Sequence, residues 1–543
     1  GDAWVSGDGK LAELVNPATE ELLAGASSAG LDLGRALGHA RDVGGPALRG
    51  LSFRERGELL EKLSRALHAE RDPLIEIGIA NGGNTRSDAK FDIDGATATL
   101  MSYAALGKQL GDRHLLTDGE PVDIAGSRLQ GHHLISPKQG VAVHIGAFNF
   151  PAWGWAEKAA CALLAGMPVF TKPATATALL AHRTAEICVA TGAMPPGAFS
   201  FLSGSVGDLL GHLSWHDVVA FTGGSSTGLT IRKNERLLSQ GVRVNVEADS
   251  LNSALLLPDA EDATVQAFIR DVARDMTQKT GQKCTAIRRV IVPEGSLGRV
   301  REALSEQLST IKIGNPALDE VRMGPVATAS QKRDVLAGID KLGAQTRVVF
   351  GDAAALNPIG VPAGKGYFVP LLLLEADDAL AASSVHEHEV FGPVATLLPY
   401  DGSTAQALEI VRAGQGGLVA SVYGDDRKAL ADLVQGLAAW HGRLVVVDAK
   451  VADKSVPPGT VLPDVVHGGP GRAGGGEELG GLRGISREFV LAARERSRGH
   501  PVRFRLHPKN RRGVEFIAAE APDWVELSLT GILEEHLLAH PYS

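Results

Sequence analysis

A chain of 543 residues is too long for one hydrophobic core, so two or three domains are expected. Its 44% hydrophobic and 22% charged residues are an ordinary globular balance, and its 65 glycines are separated by apolar runs, which points to tight turns and not to disorder. A formal charge of −9 gives no support to nucleic-acid binding, although a local basic pocket can still take an anionic ligand on an acidic protein.

Residues 52–80 carry apolar positions at helical spacing, among them Leu60, Leu63 and Leu67, and predict a helical lead-in. The most regular region runs from about 140 to 248. There GVAVHIGAF (140–148), MPVFTKPA (167–174), AFSFLSG (198–204), DVVAFTGG (217–224) and VRVNVEA (242–248) read as strands. Helices are predicted over 153–166, 177–192 and from Ser226 to Ser239, with a shorter one before residue 217. Such alternation with short connections predicts a parallel sheet covered on both faces. A second block opens near 263 with a helix that puts Val265, Phe268, Ile269, Val272 and Met276 on one face, Asp262 being available as N-cap. Later strands at 288–294, 347–352, 394–400, 418–424 and 443–449 predict a second α/β unit. The stretch 120–139 is polar, 467–484 is Gly-rich, and the basic tail predicts a strand followed by a short helix. No run of about twenty apolar residues occurs and the N-terminus lacks a signal-peptide pattern, so a soluble cytoplasmic protein without a membrane partner is expected.

Three cysteines are too few for a disulfide framework and fit no zinc spacing, so no metal is expected. Cys161 and Cys188 fall inside predicted amphipathic helices and read as core. Cys284 differs, standing in the polar turn TGQKCTAIRR between a helix and a strand. There Lys283 and backbone N–H groups could favour the nucleophilic thiolate. Glu247 ends a β-prone run, where it is either an exposed strand end or a buried carboxylate whose raised pKa suits proton acceptance. FTGGSSTG (221–228) follows a strand and opens a helix, the arrangement that binds phosphate through free N–H groups. The same segment satisfies G-x-S-x-G around Ser226, the nucleophile elbow of serine hydrolases, with His386, His388, His441 and His467 available downstream. Two patterns are decoys. Gly469 to Gly474 matches G-x-G-x-x-G but no helix follows, and His386-Glu387-His388-Glu389 has metal-type residues at the wrong spacing and reads as a solvated loop.

Taken together, AFNFP (147–151), FTKPA (170–174), FTGGSSTG, VNVEAD (244–249), GQKC (281–284), EVFGPV (389–394) and GEELGG (476–481) resemble the aldehyde dehydrogenase superfamily over roughly residues 1–485. EADSLNSALL, TGQKCTAIRR and HGGPGRAGGGEELGG are similar to its NADP-linked CoA-semialdehyde branch, which serves aerobic aromatic degradation. Some members of that branch carry a hydratase domain after the dehydrogenase, and too few residues follow the last shared motif here to form one. The resemblance implies an α/β aldehyde dehydrogenase fold in three parts. These are a Rossmann-like cofactor domain (1–120 and 140–246), a catalytic domain (247–450) and a β oligomerisation arm (121–139 and 451–505), with 506–543 as a tail of unknown role.

It further implies Cys284 as nucleophile, Glu247 as base, the Asn149 amide in the oxyanion hole, and Lys158 with Glu478 as a proton relay. Phe148, Lys172, Gly223, Gly224, Ser225, Gly228, Glu389 and Phe391 would contact NADP or NAD, and a homodimer acting on a CoA-linked semialdehyde would result. The alternatives are a serine hydrolase using Ser226 and a general aldehyde dehydrogenase for free aldehydes. Two positions depart from the family pattern. Gly224 replaces a serine of the phosphate turn, a contact that Ser225 or Ser226 could restore, and Thr175 stands where NAD-preferring members carry a glutamate that would repel a 2′-phosphate.

Overall fold

The computed structural model describes residues 2–124, 129–487, 489–497, 503–506 and 514–517. The helical lead-in forms as two helices, Phe53–Ala69 and Arg71–Gly82. The first begins on a capping box, in which Ser52 and Glu55 satisfy each other's backbone N–H groups, and it buries Leu59, Leu60, Leu63 and Leu67. It packs on the long helix Arg86–Leu110, which in turn lies against Trp153–Ala165.

Five parallel strands make the first sheet, in the spatial order Phe199–Phe201, Val169–Lys172, Ala142–Ile145, Val218–Thr222, Arg243–Glu247. The order reverses between Ala142–Ile145 and Val218–Thr222, which makes the crevice beyond their carboxyl ends the natural ligand position of such a sheet. A second sheet of seven strands runs Arg347–Phe350, Leu372–Glu375, Val394–Tyr400, Ile287–Pro293, Asn252–Leu256, Gly417–Tyr423, His441–Val447. All its pairings are parallel except that of the edge strand Arg347–Phe350. A third sheet is antiparallel and joins Leu116–Ile124 and Leu129–Pro137 to Phe489–Ser497, Arg503–Leu506 and Val514–Ile517. It therefore runs past residue 505 into the tail. The short helix expected near the end of the tail lies outside the described residues.

Three expectations need correction. The helix over 226–239 is two helices, Ser225–Arg232 and Glu235–Gln240, because the Asn234 side chain accepts from Leu237 N and starts a new N-terminus. Asp262 is the first residue of its helix and not the cap. Glu261 is the N-cap, and its N–H is taken by Asp425 (2.8 Å) from the neighbouring strand end. The strands Asn252–Leu256 and Leu372–Glu375 were not anticipated. No helix among the described residues is long and apolar enough to cross a membrane.

Candidate active site

Asn149 lies in the loop after Ala142–Ile145, at the reversal of strand order, and Glu247 is the last residue of the edge strand Arg243–Glu247, at the same carboxyl end of the sheet. Cys284 arrives from the second sheet on a loop held in a costly conformation. Lys279 and Thr280 adopt left-handed φ of 53° and 57°, and the Thr280 hydroxyl donates to Gly324 O (2.9 Å) to hold the bend. Asn252 Nδ2 then donates to Cys284 O (2.8 Å) and Ala286 O (3.0 Å), fixing the nucleophile's backbone on the sheet.

Asn149 Nδ2 donates to Gln282 O (3.0 Å), which places its amide beside the cysteine and leaves its second N–H to donate elsewhere. Cys284 is half-buried, and its Sγ lies 4.0 Å from His467 Nε2. His467 Nε2 is in turn 3.2 Å from Glu247 Oε1, and both side chains are buried. Burial alone would raise the Glu247 pKa, as the sequence suggested. The charges of His467 and Lys158 outweigh it, and Glu247 is held below the ordinary carboxylate range. Burial opposes charge on His467, but the Glu247 carboxylate prevails and raises its pKa.

The Cys284 thiol is pushed well above its ordinary value by burial and by the charge of Glu247. Lys283 does not counter this. Its ammonium points into the core, where it pairs with Asp275 (2.6 Å) and Gln278 (2.9 Å).

Behind the trio lies a buried polar chain. Lys158 Nζ bonds Glu478 Oε2 at 2.9 Å, and Asn245 Nδ2 donates to Glu478 Oε1 at 3.3 Å. Burial raises Glu157 to about 8, against the charges of His467 and Lys158, while burial and Lys158 lower His144 to about 3. Glu157 and His467 were not foreseen in these positions. The sequence offers a cue only for His467, the first residue of HGGPGRAGGGEELGG and one of the four histidines available to a hydrolase. The glycines of that run serve close backbone approach. Gly476 N donates to Val246 O (3.0 Å), and a Cβ on Gly474 or Gly476 would lie 2.3 Å from that oxygen.

Phe148 and Phe391 meet edge to face at 5.9 Å. Glu389 is pushed up to about 7 by burial, and its Oε1 has no hydrogen-bond partner although Arg288 Nε stands 3.8 Å away. A ribose hydroxyl would satisfy that orphaned oxygen, so the donor set here fits a dinucleotide. The Lys172 ammonium is lowered by burial, and the Thr175 hydroxyl donates to Gly204 O (3.0 Å). Gly223 precedes Gly224, which is the N-cap of Ser225–Arg232, and Gly228 is buried one turn on, against Val246. Ser225 is not available to replace the missing serine hydroxyl. Its Oγ donates to Asp249 Oδ2 (2.6 Å) and its N–H to Asp249 Oδ1 (2.9 Å), leaving Ser226 for that role.

Two rival features lose their basis. Ser226 is exposed on the first turn of its helix, whereas His467 sits against Cys284 and His386 is buried, bonding Arg289 (3.2 Å) and Ala379 O (2.7 Å). The His386–Glu389 segment is thus no solvated loop. Its first histidine braces the core, and Glu389 is largely buried beside Arg288.

Residues 4–459 match the aldehyde dehydrogenase family. The chain belongs to that family. It is 44% identical over 505 residues to the 3,4-dehydroadipyl-CoA semialdehyde dehydrogenase of Aromatoleum evansii, covering 92% of this chain and 98% of that protein. Among solved structures, a point mutant of the betaine aldehyde dehydrogenase of Staphylococcus aureus in complex with NAD+ superposes with a TM-score of 0.80 at 22% identity, covering 92% of this chain and 96% of that one. A mutant of the aldehyde dehydrogenase of Bacillus cereus superposes with a TM-score of 0.78 at 24% identity, covering 91% and 95%. These two structures show an aldehyde dehydrogenase fold. With the family match and the Aromatoleum relative, the chain is an aldehyde-oxidising dehydrogenase, not a serine hydrolase.

Proposed function

We propose that this aldehyde dehydrogenase oxidises a CoA-linked semialdehyde of the 3,4-dehydroadipyl type to the free acid, using NADP and a thioester on Cys284. The observation that carries the substrate is the near full-length 44% identity to the Aromatoleum enzyme. In the reaction the Cys284 thiolate adds to the aldehyde carbon, and the Asn149 amide with the Cys284 N–H stabilises the resulting oxyanion. A bound nicotinamide dinucleotide supplies the two-electron acceptor. Glu247 then takes a proton from the water that attacks the thioester, the acid departs, and the thiol is restored. The buried chain of Glu157, Lys158 and Glu478 offers the departing proton a route away from the crevice. Asn149→Ala is expected to lower kcat by roughly 10²–10³, since one oxyanion donor is lost, with the melting temperature falling only a few degrees for the lost bond to Gln282 O.

The substrate is tested by comparing kcat/KM for the CoA-linked and free semialdehydes. About 3 kcal/mol of remote nucleotide binding energy would give the CoA form roughly a hundredfold advantage. Added salt should shrink it by screening the phosphates. Equal efficiency without a salt effect would leave a general aldehyde dehydrogenase. For the cofactor, Thr175→Glu should weaken NADP and spare NAD. A carboxylate about 4 Å from the 2′-phosphate costs between about 1 and 4 kcal/mol, depending on solvent screening. Wild-type preference for NAD would show that other residues decide.

The three sheets support the division into a cofactor domain, a catalytic domain and an arm. The arm is best drawn to include Val514–Ile517, and it would pair two subunits into a homodimer.

A further inference from the structure

We propose that Cys284, His467 and Glu247 form a site for one thiophilic divalent cation of the Zn2+ class, which holds the cofactor-free enzyme inactive until it is chelated. The three residues come from different elements: the loop after Gln278–Gly281, the strand Val466–Gly468 and the end of Arg243–Glu247. Their Sγ, Nε2 and Oε1 atoms all lie within 4.8 Å of one another, with Sγ to Nε2 at 4.0 Å and Nε2 to Oε1 at 3.2 Å. A tetrahedral zinc ion with ordinary bond lengths holds such donors roughly 3.3–3.6 Å apart. The sulfur side of the present triangle is wider than that, so the donors must draw in around an ion.

A second observation points the same way. Glu247 Oε1 is buried and makes no aligned hydrogen bond, although the imidazole is close. The nearby imidazolium is now the positive partner of that oxygen at 3.2 Å, and a dication that displaces the imidazolium proton would take its place. The donor chemistry is also selective. Thiolate and imidazole favour Zn2+ over Mg2+ or Ca2+, and one thiolate with one carboxylate neutralises a dication in this buried place. The fourth position would open on the crevice lined by Asn149 and Phe150 and would hold water. Binding releases the Cys284 proton, and the His467 proton when present, to solvent. Glu157 and Lys158 on Trp153–Ala165, Arg443 on His441–Val447 and Glu389 bear electrostatically on the trio, so their charges also set the pH at which metal binds. Capped by the ion, the sulfur cannot attack an aldehyde and Glu247 cannot accept a proton.

The trio was invisible to spacing rules, since 37 residues separate Glu247 from Cys284 and 183 separate Cys284 from His467 (284 − 247 and 467 − 284).

The test titrates the full-length enzyme, first treated with EDTA and free of cofactor, with Co2+ as a spectroscopic stand-in and then with Zn2+. One equivalent of Co2+ should give a sulfur-to-cobalt charge-transfer band with four-coordinate visible bands, and Zn2+ should displace it. Zn2+ should also protect Cys284 from iodoacetamide and abolish turnover, with EDTA restoring both. Loss of an outer-shell partner costs roughly 10–100-fold in metal affinity, so His467→Phe, which loses a ligand, should cost about a hundredfold or more. His467→Gln provides a second variant, with circular dichroism to confirm its fold. A cobalt complex without the sulfur band, or affinity unchanged in both folded His467 variants, would overturn the site. Because the spectra need no substrate, the outcome is independent of the CoA assignment.

Discussion

Cys284→Ala is expected to remove aldehyde oxidation, by roughly 10⁴-fold or more, while cofactor binding stays within about twofold of wild type. The first part follows from chemistry, because an alanine offers no atom to form the covalent adduct. The second follows from placement. Lys172, Glu389 and the turn at Gly224 hold the dinucleotide reading, and Cys284 contributes to none of the hydrogen bonds that shape them. Reduced nicotinamide followed by absorbance measures the first, and quenching of protein fluorescence by cofactor measures the second. Full activity in Cys284→Ala together with its loss in Ser226→Ala would return the case to a serine nucleophile. The other two cysteines cannot substitute, being buried in the helices Trp153–Ala165 and Ala178–Ala190.

The two α/β units were legible because their strands are apolar runs punctuated by short turns, as in Ala142–Ile145 and Ile287–Pro293. Leu372–Glu375 is not legible although it is buried throughout, since so short a leucine-rich run has no periodicity that separates strand from helix. At the site, the identities of Cys284, Glu247 and Asn149 could be drawn from motif order, yet their electrostatics could not. Lys283 adjoins Cys284 in sequence, but the turn closed by Ala286 N on Lys283 O separates their side chains, and Lys283 pairs with Asp275 in the core. For Glu247, sequence suggested burial and therefore a raised pKa. The opposite sign comes from His467, which lies 220 residues away (467 − 247) and which no local pattern connects to it. Helix capping shows the same limit on a smaller scale. Asp425 serves the N-terminus at Glu261 from across the fold, a partner that the local residues Glu261 and Asp262 do not disclose.

Glu247→Gln is expected to trap the enzyme as its thioester. Glutamine keeps the shape of the side chain but cannot take a proton from water, and loss of a general base slows the assisted step by roughly 10²–10⁴-fold. Oxidation precedes hydrolysis, so the variant should still give one burst of reduced cofactor per site. Steady turnover would then be nearly absent, and intact mass would show the acyl group on Cys284. The pH dependence sharpens the test. In the wild type Glu247 is ionised throughout the working range, but while His467 carries its proton the carboxylate is a weak base, its pKa being held low by that charge. As pH rises past the raised His467 pKa, the imidazolium becomes neutral, the depression of Glu247 is relieved and its basicity grows. Thioester hydrolysis should therefore climb on the alkaline side of the ordinary imidazole value of about 6.5, and this limb should be missing from Glu247→Gln. Wild-type turnover in the variant, with no adduct in the mass spectrum, would remove Glu247 from the mechanism. A variant with neither burst nor adduct would place its main work earlier, in taking the proton from the Cys284 thiol.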